Sequence, residues 1–538
     1  MRLGTGYGTT VRQFTICRAS INPGTGQPAY TGWLTVQGER IAALGPGDPP
    51  RAARPRLDAG GWVLCPGFVD LHGHTDALVL ANPTLESKLR QGVTTEVGGN
   101  CGLSVWPPSE GLQAELAPWE QAFGRELAVP DLPTFARRLA ESGLAANYAL
   151  LAGHGNLRAQ AMGYQDRPAT GPECERMAGL LRELLSWGTW GLSFGLAYPP
   201  GMFADTGELA ALGRVVAGRG LLAFHLRSES AQGVEATAEA IAVGAETGTA
   251  VHLSHHKALG RANWGKVAQS LALISEARAR GQAVTADVYP YTATATGLAA
   301  YLPKWAQEGG NDALLGRLRQ PGMRRAMARE MAERLGDAQL MGEILVARTF
   351  HPAGRELEGL SLAQVAARQQ VDPGTALFAL LLADGGRTEI VRCHGMSERD
   401  VEQVITHPAT AIASDATART LAGPLAEGKP HPRAFGTFPR VLGRYVRERG
   451  VISLEEAIRK MTSLPAQILG LPDRGRLEVG CQADLVLFDP HTIADQATFT
   501  EPVQPPRGIA GVWVNGEQVL EGGQLTGARP GRLLLRQG

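Results

Sequence analysis

The sequence predicts an α/β protein: a (β/α)8 barrel over residues 66–472, with β-rich segments at both chain ends, residues 1–65 and 473–538. Three observations lead to this prediction. The middle of the chain alternates short apolar strands with helical stretches, and both ends resemble β-hairpins. The length of 538 residues also accommodates a barrel of roughly 250 residues or more together with a second domain.

The two chain ends share one pattern, in which short apolar runs are broken by turns. The N-terminal segment contains FTICRASI, GWLTVQGERIAALG and GGWVLCPG, and the C-terminal segment contains ADLVLFDP and GIAGVWVNGEQVLEGG. In the last of these, Asn515-Gly516 is a typical hairpin turn. The two ends are therefore predicted to form one kind of structure and the middle another.

The middle of the chain alternates strand and helix patterns. Apolar runs such as ANYALLAG, TWGLSFGLA, LLAFHLRS, AVHLSHH, AVTADVYP and AIASDAT are separated by helical stretches such as GPECERMAGLLRELLSWG and VAQSLALISEARARG. Alternation of this kind predicts a parallel sheet, and seven or more units favour a closed barrel over an open sheet. Charged helical sequence over residues 302–350 interrupts the rhythm and predicts an insertion on one βα loop.

Composition excludes several classes of protein. Lys plus Arg and Asp plus Glu balance at 52 each, so no charge excess points to a nucleic-acid partner. No apolar run reaches the roughly 18 residues that a membrane crossing needs. The first residues, MRLGTGYGTT, lack the apolar core of a signal peptide. The six cysteines are scattered without a Cys-x-x-Cys pair, so we expect a reducing cytoplasm.

Metal-binding residue types stand at the carboxyl ends of successive predicted strands, the end at which barrel sites form. In GFVDLHGHTD, His72 and His74 are two residues apart and would share one face of a continuing strand. Four more such residues end later strands: Cys101, His225, His255 and Asp415. Nitrogen and sulfur donors with a single carboxylate favour zinc over magnesium or calcium.

Each of these residues also has an ordinary structural explanation. A lone buried cysteine is usually a small hydrophobic residue, a lone histidine at a strand end is often a hydrogen-bonded core residue, and Asp415 would suit a helix N-cap. One metal site accounts for all six positions at once. His252 and His256 should face away from the ligand histidine of their strand. His154, on the Gly-rich AGHGN loop, is a candidate for substrate contact.

These residues lie within longer stretches that resemble the D-aminoacylases, the N-acyl-D-amino-acid deacylases of the amidohydrolase superfamily. His-x-His is shared across that superfamily, whereas GNCG together with HPRAFGTFPRVLG is much more specific to this branch. The resemblance runs from about residue 58 to 520 through PGFVDLHGHTD, GNCG, GLSFGLAYPPG, HLRSES, LSHHK, YPYTATATG, SDA, HPRAFGTFPRVLGRYVRERG and AIRKMTSLPAQILGLPDRGRLEVGCQADLVLFDP.

The resemblance implies a fold and a ligand set. The fold is a barrel flanked by a small β-sandwich that both chain ends build. A tightly held zinc would bind Cys101, His225 and His255, and a second, weaker metal position would lie between His72, His74 and Asp415. Lys257, Tyr289 and Arg392 are favoured as the cations and hydroxyl that hold a substrate carboxylate.

The implied reaction is zinc-dependent hydrolysis of the amide bond of an N-acyl-D-amino acid, with Asp415 moving the proton. One alternative is a cyclic-amide hydrolase of the dihydroorotase or hydantoinase type, which usually carries a metal-bridging lysine that GTWGLSFGLA lacks. The other is a non-catalytic scaffold with the same fold. The oligomeric state is not predicted.

Two departures from the family bear on substrate preference. After the histidine that corresponds to His225, relatives commonly have Met-Arg-Asp or Met-Arg-Asn, where this chain has Leu226-Arg227-Ser228. At the aspartate, relatives often have Ser-Asp-Gly, where this chain has Ser414-Asp415-Ala416. The stretch TATATGLAAYLPKW after the Tyr289 strand is small and apolar, and its first cation is Lys304. A buried carboxylate needs a partner, so we expect neutral or hydrophobic D-side chains to be preferred over D-Glu and D-Asp.

Overall fold

The computed structural model describes residues 13–51 and 55–537. The stretch MRLGTGYGTT, and the first residues of the predicted N-terminal β-rich segment, lie outside the described residues. In the part of the chain that is described, no helix combines the length and the apolar composition needed to cross a membrane.

The strands follow the predicted alternation in the middle of the chain and cluster at its ends. In chain order they are β1 (Gln13–Ile21), β2 (Tyr30–Gln37), β3 (Arg40–Pro46), β4 (Arg56–Asp58), β5 (Val63–Pro66), β6 (Phe68–Asp70), β7 (Val93–Gly98), β8 (Asn147–Leu150), β9 (Ala152–Gly153), β10 (Gly191–Gly195), β11 (Leu221–His225), β12 (Ala250–Leu253), β13 (Val284–Val288), β14 (Thr294–Gly297), β15 (Ile344–Arg348), β16 (Glu389–Arg392), β17 (Thr410–Ile412), β18 (Leu485–Phe488), β19 (Ile509–Val514), β20 (Glu517–Glu521) and β21 (Gln524–Leu525).

The α-helices lie mainly between the strands of the middle region. In chain order they are α1 (Glu86–Leu89), α2 (Glu110–Phe123), α3 (Leu132–Ser142), α4 (His154–Met162), α5 (Gly171–Ser186), α6 (Thr206–Val216), α7 (Gly233–Thr247), α8 (Val267–Ala279), α9 (Gly310–Arg319), α10 (Pro321–Glu330), α11 (Ala332–Gly336), α12 (Ala338–Glu343), α13 (Leu362–Gln369), α14 (Pro373–Ala383), α15 (Glu398–Thr406), α16 (Arg433–Arg440), α17 (Leu454–Met461) and α18 (Ser463–Leu469). A π-helical segment, Val441–Glu448, continues α16.

Local sequence explains these elements, as α5 illustrates. Its N-cap Thr170 forms a capping box with Glu173, whose carboxylate accepts a hydrogen bond from the Thr170 backbone at 2.8 Å. Met177, Leu181 and Leu184, spaced four and three residues apart, are buried on one face. That face packs against the barrel, which is the arrangement an amphipathic period of 3.6 residues predicts.

The predicted (β/α)8 barrel is confirmed. Its strands are β6, β7, the β8–β9 pair, β10, β11, β12, β13 and β17, and neighbours within the two sheet segments pair in parallel. Contacts beyond the ends of β17 and β6 close the ring: Gly73 and Ala416 form a parallel bridge, and the Asp415 backbone nitrogen donates to the His72 carbonyl at 2.8 Å. The carboxyl ends of all eight strands therefore meet at one mouth.

The insertion is longer than the predicted residues 302–350, and it is not purely helical. It extends from β14 to β16 and contains a three-stranded antiparallel sheet in the order β14-β16-β15, covered by α9 to α14. It has its own apolar core, which includes Leu298, Leu318, Ile344, Leu377 and Ile390. The charged helices interrupt the barrel rhythm visibly, whereas these short apolar strands resemble barrel strands until their partners are known.

Both chain ends form one nine-stranded sheet, with the path β21-β20-β19-β18-β5-β1-β2-β3 and β4 beside β1. The Phe14 ring of β1 stacks on the Trp513 ring of β19 at 5.9 Å between centroids, although two other strands separate β1 from β19 along the path. A flat sheet would hold strands that far apart at about 14 Å. The sheet therefore folds over its own core, as the predicted sandwich requires.

The last residues depart from the predicted assignment of 473–538 to the β-rich domain. After β21 the chain runs across the amino-terminal end of the barrel, where the Tyr148 nitrogen donates to the Arg532 carbonyl and the Leu534 nitrogen donates to the Tyr148 carbonyl, at 2.9 and 2.7 Å. Leu534 packs on the apolar cluster that includes Trp190 and Leu469. This tail and α18 thus cover the end of the barrel opposite the mouth.

Candidate metal centre and active site

The six residues predicted to bind metal meet at the carboxyl-end mouth of the barrel. Their donor atoms are close: Cys101 Sγ lies 3.3 Å from His72 Nε2 and 3.5 Å from His255 Nε2. His255 Nε2 lies 2.8 Å from His225 Nδ1. Five of the six residues are buried and the sixth, His74, is partly buried.

The donors form three overlapping groups, one of which joins Asp415 to His72 and His255. Cys101, His225 and His255 have donor atoms within 4.8 Å of one another and form the group predicted to hold zinc tightly. On the other side, Asp415 Oδ1 lies 3.1 Å from His74 Nε2 and 3.5 Å from His72 Nε2. Cys101 also belongs with His72 and His74, so its sulfur lies between the two positions.

The chemistry of this donor set fits zinc. Burial raises the pKa of the Cys101 thiol well above its usual range, so a thiolate at this position requires a cation beside it. Burial, and then the neighbouring His255, lower the pKa of His225 well below its usual range, which leaves a neutral imidazole ready to coordinate. Buried thiolate and imidazole donors are the ligands zinc prefers.

Backbone strain marks the same residues. Cys101, His255 and Asp415 have φ angles of 52°, 36° and 49°, in the left-handed region that residues other than glycine rarely adopt. Such strain costs on the order of 1–3 kcal/mol per residue and persists where the surrounding structure enforces it, which is typical of functional sites. Three of the six predicted ligands therefore hold conformations that their strands would not adopt spontaneously.

The GNCG loop shows how the sequence enforces the Cys101 position. The Asn100 side-chain amide donates to the carbonyls of Leu71 and Val97 at 3.1 and 3.0 Å, which ties the loop to two barrel strands. A Cβ on Gly102 would come within 2.7 Å of the backbone nitrogen of the facing β10 strand, so only glycine fits. The Ser193 hydroxyl of β10 accepts a hydrogen bond from the Gly102 nitrogen at 3.0 Å.

Asp287 is a site residue that the sequence analysis missed. Its Oδ2 lies 3.1 Å from His72 Nδ1 and 2.8 Å from His252 Nε2, and its Oδ1 accepts the His255 backbone N–H at 2.7 Å. Because Nδ1 of His72 is held in this way, Nε2 faces the metal position. An acidic residue in the middle of the buried run AVTADVYP was the available signal.

Arg433 is a second missed residue. Its Nη1 lies 2.7 Å from Asp415 Oδ2, and its guanidinium lies 4.6 Å from the centroid of the Tyr289 ring. Burial alone would raise the pKa of Asp415, but Arg433 and then the histidines around it lower that pKa well below its usual range. The signal was the HPRAFG motif, which belongs to the family resemblance and contains this arginine.

Two of the three predicted carboxylate-binding residues, Lys257 and Tyr289, lie together beside the centre. Lys257 is buried, and its Nζ lies 5.6 Å from the centroid of the Tyr289 ring. Arg392 ends β16, so it belongs to the insertion rather than to the barrel. The loop after β16 is nevertheless tied to the loop that carries Lys257, because the Gly260 nitrogen donates to the Gly395 carbonyl at 2.7 Å.

Three other histidines are placed by their hydrogen bonds. His256 Nε2 lies 2.7 Å from Ser270 Oγ, on the far side of the strand as expected. His252 does not face away as expected: it points into the barrel below the metal centre, because the left-handed backbone at His255 ends the alternation of the strand. His154, considered for substrate contact, is fully buried with Nε2 at 2.7 Å from Glu208.

A closed eight-stranded barrel with thiolate, imidazole and carboxylate donors at its carboxyl mouth defines a metal-dependent hydrolase barrel as the class of protein. The chain belongs to the amidohydrolase family, whose model matches residues 57–520. The resemblance found in the sequence is thereby confirmed.

Known relatives align with nearly the whole chain. An N-acyl-D-glutamate deacylase from Alcaligenes xylosoxydans xylosoxydans is 38% identical over 95% of this chain and 94% of its own length. A D-aminoacylase from the same organism is 34% identical over 95% of each chain. The crystal structure of N-acyl-D-glutamate deacylase from Bordetella bronchiseptica, complexed with zinc and a phosphonate inhibitor, is 36% identical with a TM-score of 0.82, covering 97% of this chain and 99% of that one.

Proposed function

We propose that this protein hydrolyses the amide bond of N-acyl-D-amino acids and that zinc is its metal. The observation that carries the proposal is the position of Asp415, a buried carboxylate within 3.5 Å of two candidate ligand histidines and beside the Cys101, His225 and His255 group. The relatives described above, which deacylate N-acyl-D-amino acids, support the same reaction.

Amide hydrolysis requires an activated water and a proton for the leaving amine. A zinc ion bound in such a site supplies Lewis acidity, which acidifies water and polarises an acyl carbonyl. Asp415 takes one proton from the water while the water oxygen bonds to the acyl carbon. It later gives that proton to the amide nitrogen as the carbon–nitrogen bond breaks. The products are a carboxylate and a free D-amino acid.

Arg433 supports this task of Asp415. The guanidinium contacts Oδ2, while Oδ1 faces His72 and His74. The two carboxylate oxygens therefore have separate partners, and Oδ1 stays on the side where it would take a proton from water. A fixed cation beside the carboxylate also keeps it ionised in a buried setting, which a proton acceptor requires.

The alternative of a cyclic-amide hydrolase receives no support from β10. The strand that would carry the bridging lysine reads GLSFG and has no lysine, and its Ser193 hydroxyl braces the loop that presents Cys101. The scaffold alternative is opposed by the strained backbone at Cys101, His255 and Asp415, which a protein without a site would have no reason to keep.

The substrate clamp combines the barrel and the insertion. Lys257 and Tyr289 provide a cation and a hydroxyl beside the metal centre, and Arg392 of β16 provides a second cation from the insertion. An arginine can bind a carboxylate through two hydrogen bonds, whereas a lysine offers a point charge. A substrate α-carboxylate held between them would place its N-acyl group toward Asp415.

The side-chain pocket favours neutral D-amino acids. β14 of the insertion lies over the site, since Thr296 Oγ1 is 3.0 Å from the hydroxyl of Tyr198, whose ring packs on His225. β14 carries only threonine, alanine and glycine. Lys304, the next cation along the chain, is half exposed and pairs with Asp166 at 2.9 Å. β14 itself offers no cation to a distal carboxylate, and Arg392, which pairs with Thr294 in the same sheet, is assigned to the α-carboxylate.

The test is a substrate screen with the zinc-loaded enzyme. N-acetyl derivatives of D-Met, D-Leu, D-Phe and D-Glu, the matching L-enantiomers, a hydantoin and dihydroorotate are assayed for released amine or opened ring. We expect turnover of the linear D-substrates only, with kcat/KM for N-acetyl-D-leucine above that for N-acetyl-D-glutamate. Turnover of cyclic amides alone contradicts the reaction, and an equal or higher value for the glutamate derivative contradicts the pocket assignment.

The cellular compartment of the protein is proposed from the state of its cysteines. All six cysteines lie in described residues and are unpaired. Unpaired thiols support a reducing compartment such as the cytoplasm. The described residues of the site suit a small N-acyl-D-amino acid as the partner.

A further inference from the structure

Glu229 lies between the metal centre and the substrate clamp, and it has no task in the proposed reaction. Its Oε1 lies 2.8 Å from His255 Nδ1 and 2.5 Å from Lys257 Nζ. Its side chain is 13% exposed, and those of His255 and Lys257 are 3% and 4% exposed. One carboxylate oxygen therefore contacts a candidate zinc ligand and a candidate substrate-binding cation at the same time.

The contact with His255 determines which ring nitrogen is free for a metal. The other nitrogen, Nε2, faces Cys101 and His225, so it must carry the lone pair if His255 is a ligand. The proton then resides on Nδ1, which needs an acceptor. Lys257 Nζ is also 2.7 Å from Nδ1, but an ammonium group has only protons to offer. Glu229 is thus the acceptor that this nitrogen requires.

The contact with Lys257 fixes the clamp. A lysine side chain has four rotatable bonds, and a substrate carboxylate gains most from a cation that is already in place. The backbone strengthens the arrangement, because the Leu259 nitrogen donates to the Glu229 carbonyl at 2.6 Å. The loop after β11, which carries Glu229, is therefore joined to the loop after β12 by both side chain and main chain.

We propose that Glu229 is a positioning residue that couples the tight metal site to substrate binding, holding His255 in the metal-binding tautomer and Lys257 in the carboxylate-binding position. The substrate half of this inference rests on the proposed function, whereas the metal half does not. Carboxylates that orient metal-ligating histidines typically contribute about 10–100-fold in metal affinity. The loss of a hydrogen bond to a charged group predicts a similar change in KM.

The metal half is tested by zinc affinity, measured by competition with a chromophoric chelator. We expect Glu229→Ala to weaken zinc binding by about 10–100-fold. Glu229→Gln keeps an acceptor oxygen for Nδ1 and should remain within about tenfold of wild type. Glu239→Gln is the matched control, because Glu239 pairs with Arg227 of the same loop at 2.9 Å without reaching the centre. Wild-type zinc affinity in Glu229→Ala would overturn the assignment.

The substrate half is tested by KM in a double-mutant cycle at saturating zinc. Glu229→Gln and Lys257→Met should each raise KM by about tenfold or more. If Glu229 acts on substrate through Lys257, adding Glu229→Gln to Lys257→Met should raise KM by less than about twofold further. Independent, multiplying effects would overturn the coupling, as would an unchanged KM in Glu229→Gln.

The two halves separate failure of this inference from failure of the proposed function. Zinc affinity needs no substrate, so a wild-type enzyme that hydrolyses no N-acyl-D-amino acid would refute the proposed function while Glu229→Ala still decides the metal half. If the wild-type enzyme is active but substitution of Glu229 changes neither zinc affinity nor KM, the inference alone is refuted. Lys257→Met with zinc affinity within about threefold of wild type, beside a weakened Glu229→Ala, supports Glu229 as the link.

Discussion

Replacing Asp415 by asparagine should abolish turnover while leaving the tight metal site intact. The side chains have nearly the same shape, so the substitution removes the charge and the basicity rather than the packing. Both carboxylate oxygens of Asp415 have close partners: Oδ1 lies 3.1 Å from His74 Nε2, and Oδ2 lies 2.7 Å from Arg433 Nη1. The Cys101, His225 and His255 group does not include Asp415.

The magnitude follows from the work assigned to the carboxylate. A positioned general acid or base contributes about 10²–10⁴-fold in rate, equivalent to about 2.7–5.4 kcal/mol of activation free energy. An amide cannot take the proton from water, so kcat should fall by that factor. Zinc affinity at the tight position should change by less than about tenfold, because asparagine removes at most a ligand of the weaker position.

The assay is kcat for N-acetyl-D-methionine, alongside zinc content by elemental analysis. Asp495→Asn is the matched control: Asp495 Oδ2 pairs with Arg440 at 2.9 Å, and Arg440 lies 4.6 Å from the Tyr291 ring, so this partly buried Asp–Arg–Tyr arrangement parallels the catalytic one outside the metal centre. The control should keep most of its activity. If Asp415→Asn retains more than about a tenth of wild-type kcat, the proton-transfer role is wrong.

Three further outcomes are expected. Cys101→Ala should lose the tightly bound zinc, and undiminished zinc on elemental analysis would show that the ligand set is wrong. Lys88→Met should lower the free energy of unfolding by about 3–5 kcal/mol in urea titrations. Lys88 Nζ is fully buried at 2.7 Å from Asp70 and Ser414, so its loss leaves the buried Asp70 carboxylate without a paired charge. A loss of stability below about 1 kcal/mol would contradict this. Burial raises the pKa of Glu96 to about 7, so the folded protein binds the extra proton and loses stability, by about 3 kcal/mol, as pH rises from about 4.5 to 7. Glu96→Gln should remove that loss, seen as a smaller fall in thermal midpoint between pH 5 and 8 than wild type shows, and an equal fall in both proteins would contradict the pKa assignment.

Prediction from sequence succeeded where the signal is local. Strand and helix patterns depend on neighbours a few residues apart, so the barrel was visible in the alternation of apolar runs and amphipathic stretches. The ligand types were visible because parallel strands place their carboxyl ends at one mouth, and so the residues after each strand can be grouped without knowing their distances. His72, His74, Cys101, His225, His255 and Asp415 were grouped in this way, and their roles as ligands stay a prediction.

The insertion and the chain end were only partly visible. β15 and β16 are short apolar runs that pair with each other in an antiparallel sheet instead of entering the barrel. A strand's partner depends on the path of the whole chain, and no local pattern reports it. The tail after β21 likewise looks like the edge of the β-rich domain until its hydrogen bonds to Tyr148 place it across the barrel.

The sequence by itself determined the fold class, the candidate donor residues and the end of the barrel at which they gather, because residue chemistry and short-range periodicity carry that information. Only the tertiary structure decided which side chains support the donors. Asp287 contacts His72, which lies 215 residues away in the chain. Glu229, in the loop after β11, contacts His255 in the loop after β12. The orientation of His252 was also decided there, since the left-handed backbone at His255 is imposed by packing. Contacts between segments that are distant in the sequence form only when the barrel folds. The residues that support a metal centre make contacts of this kind.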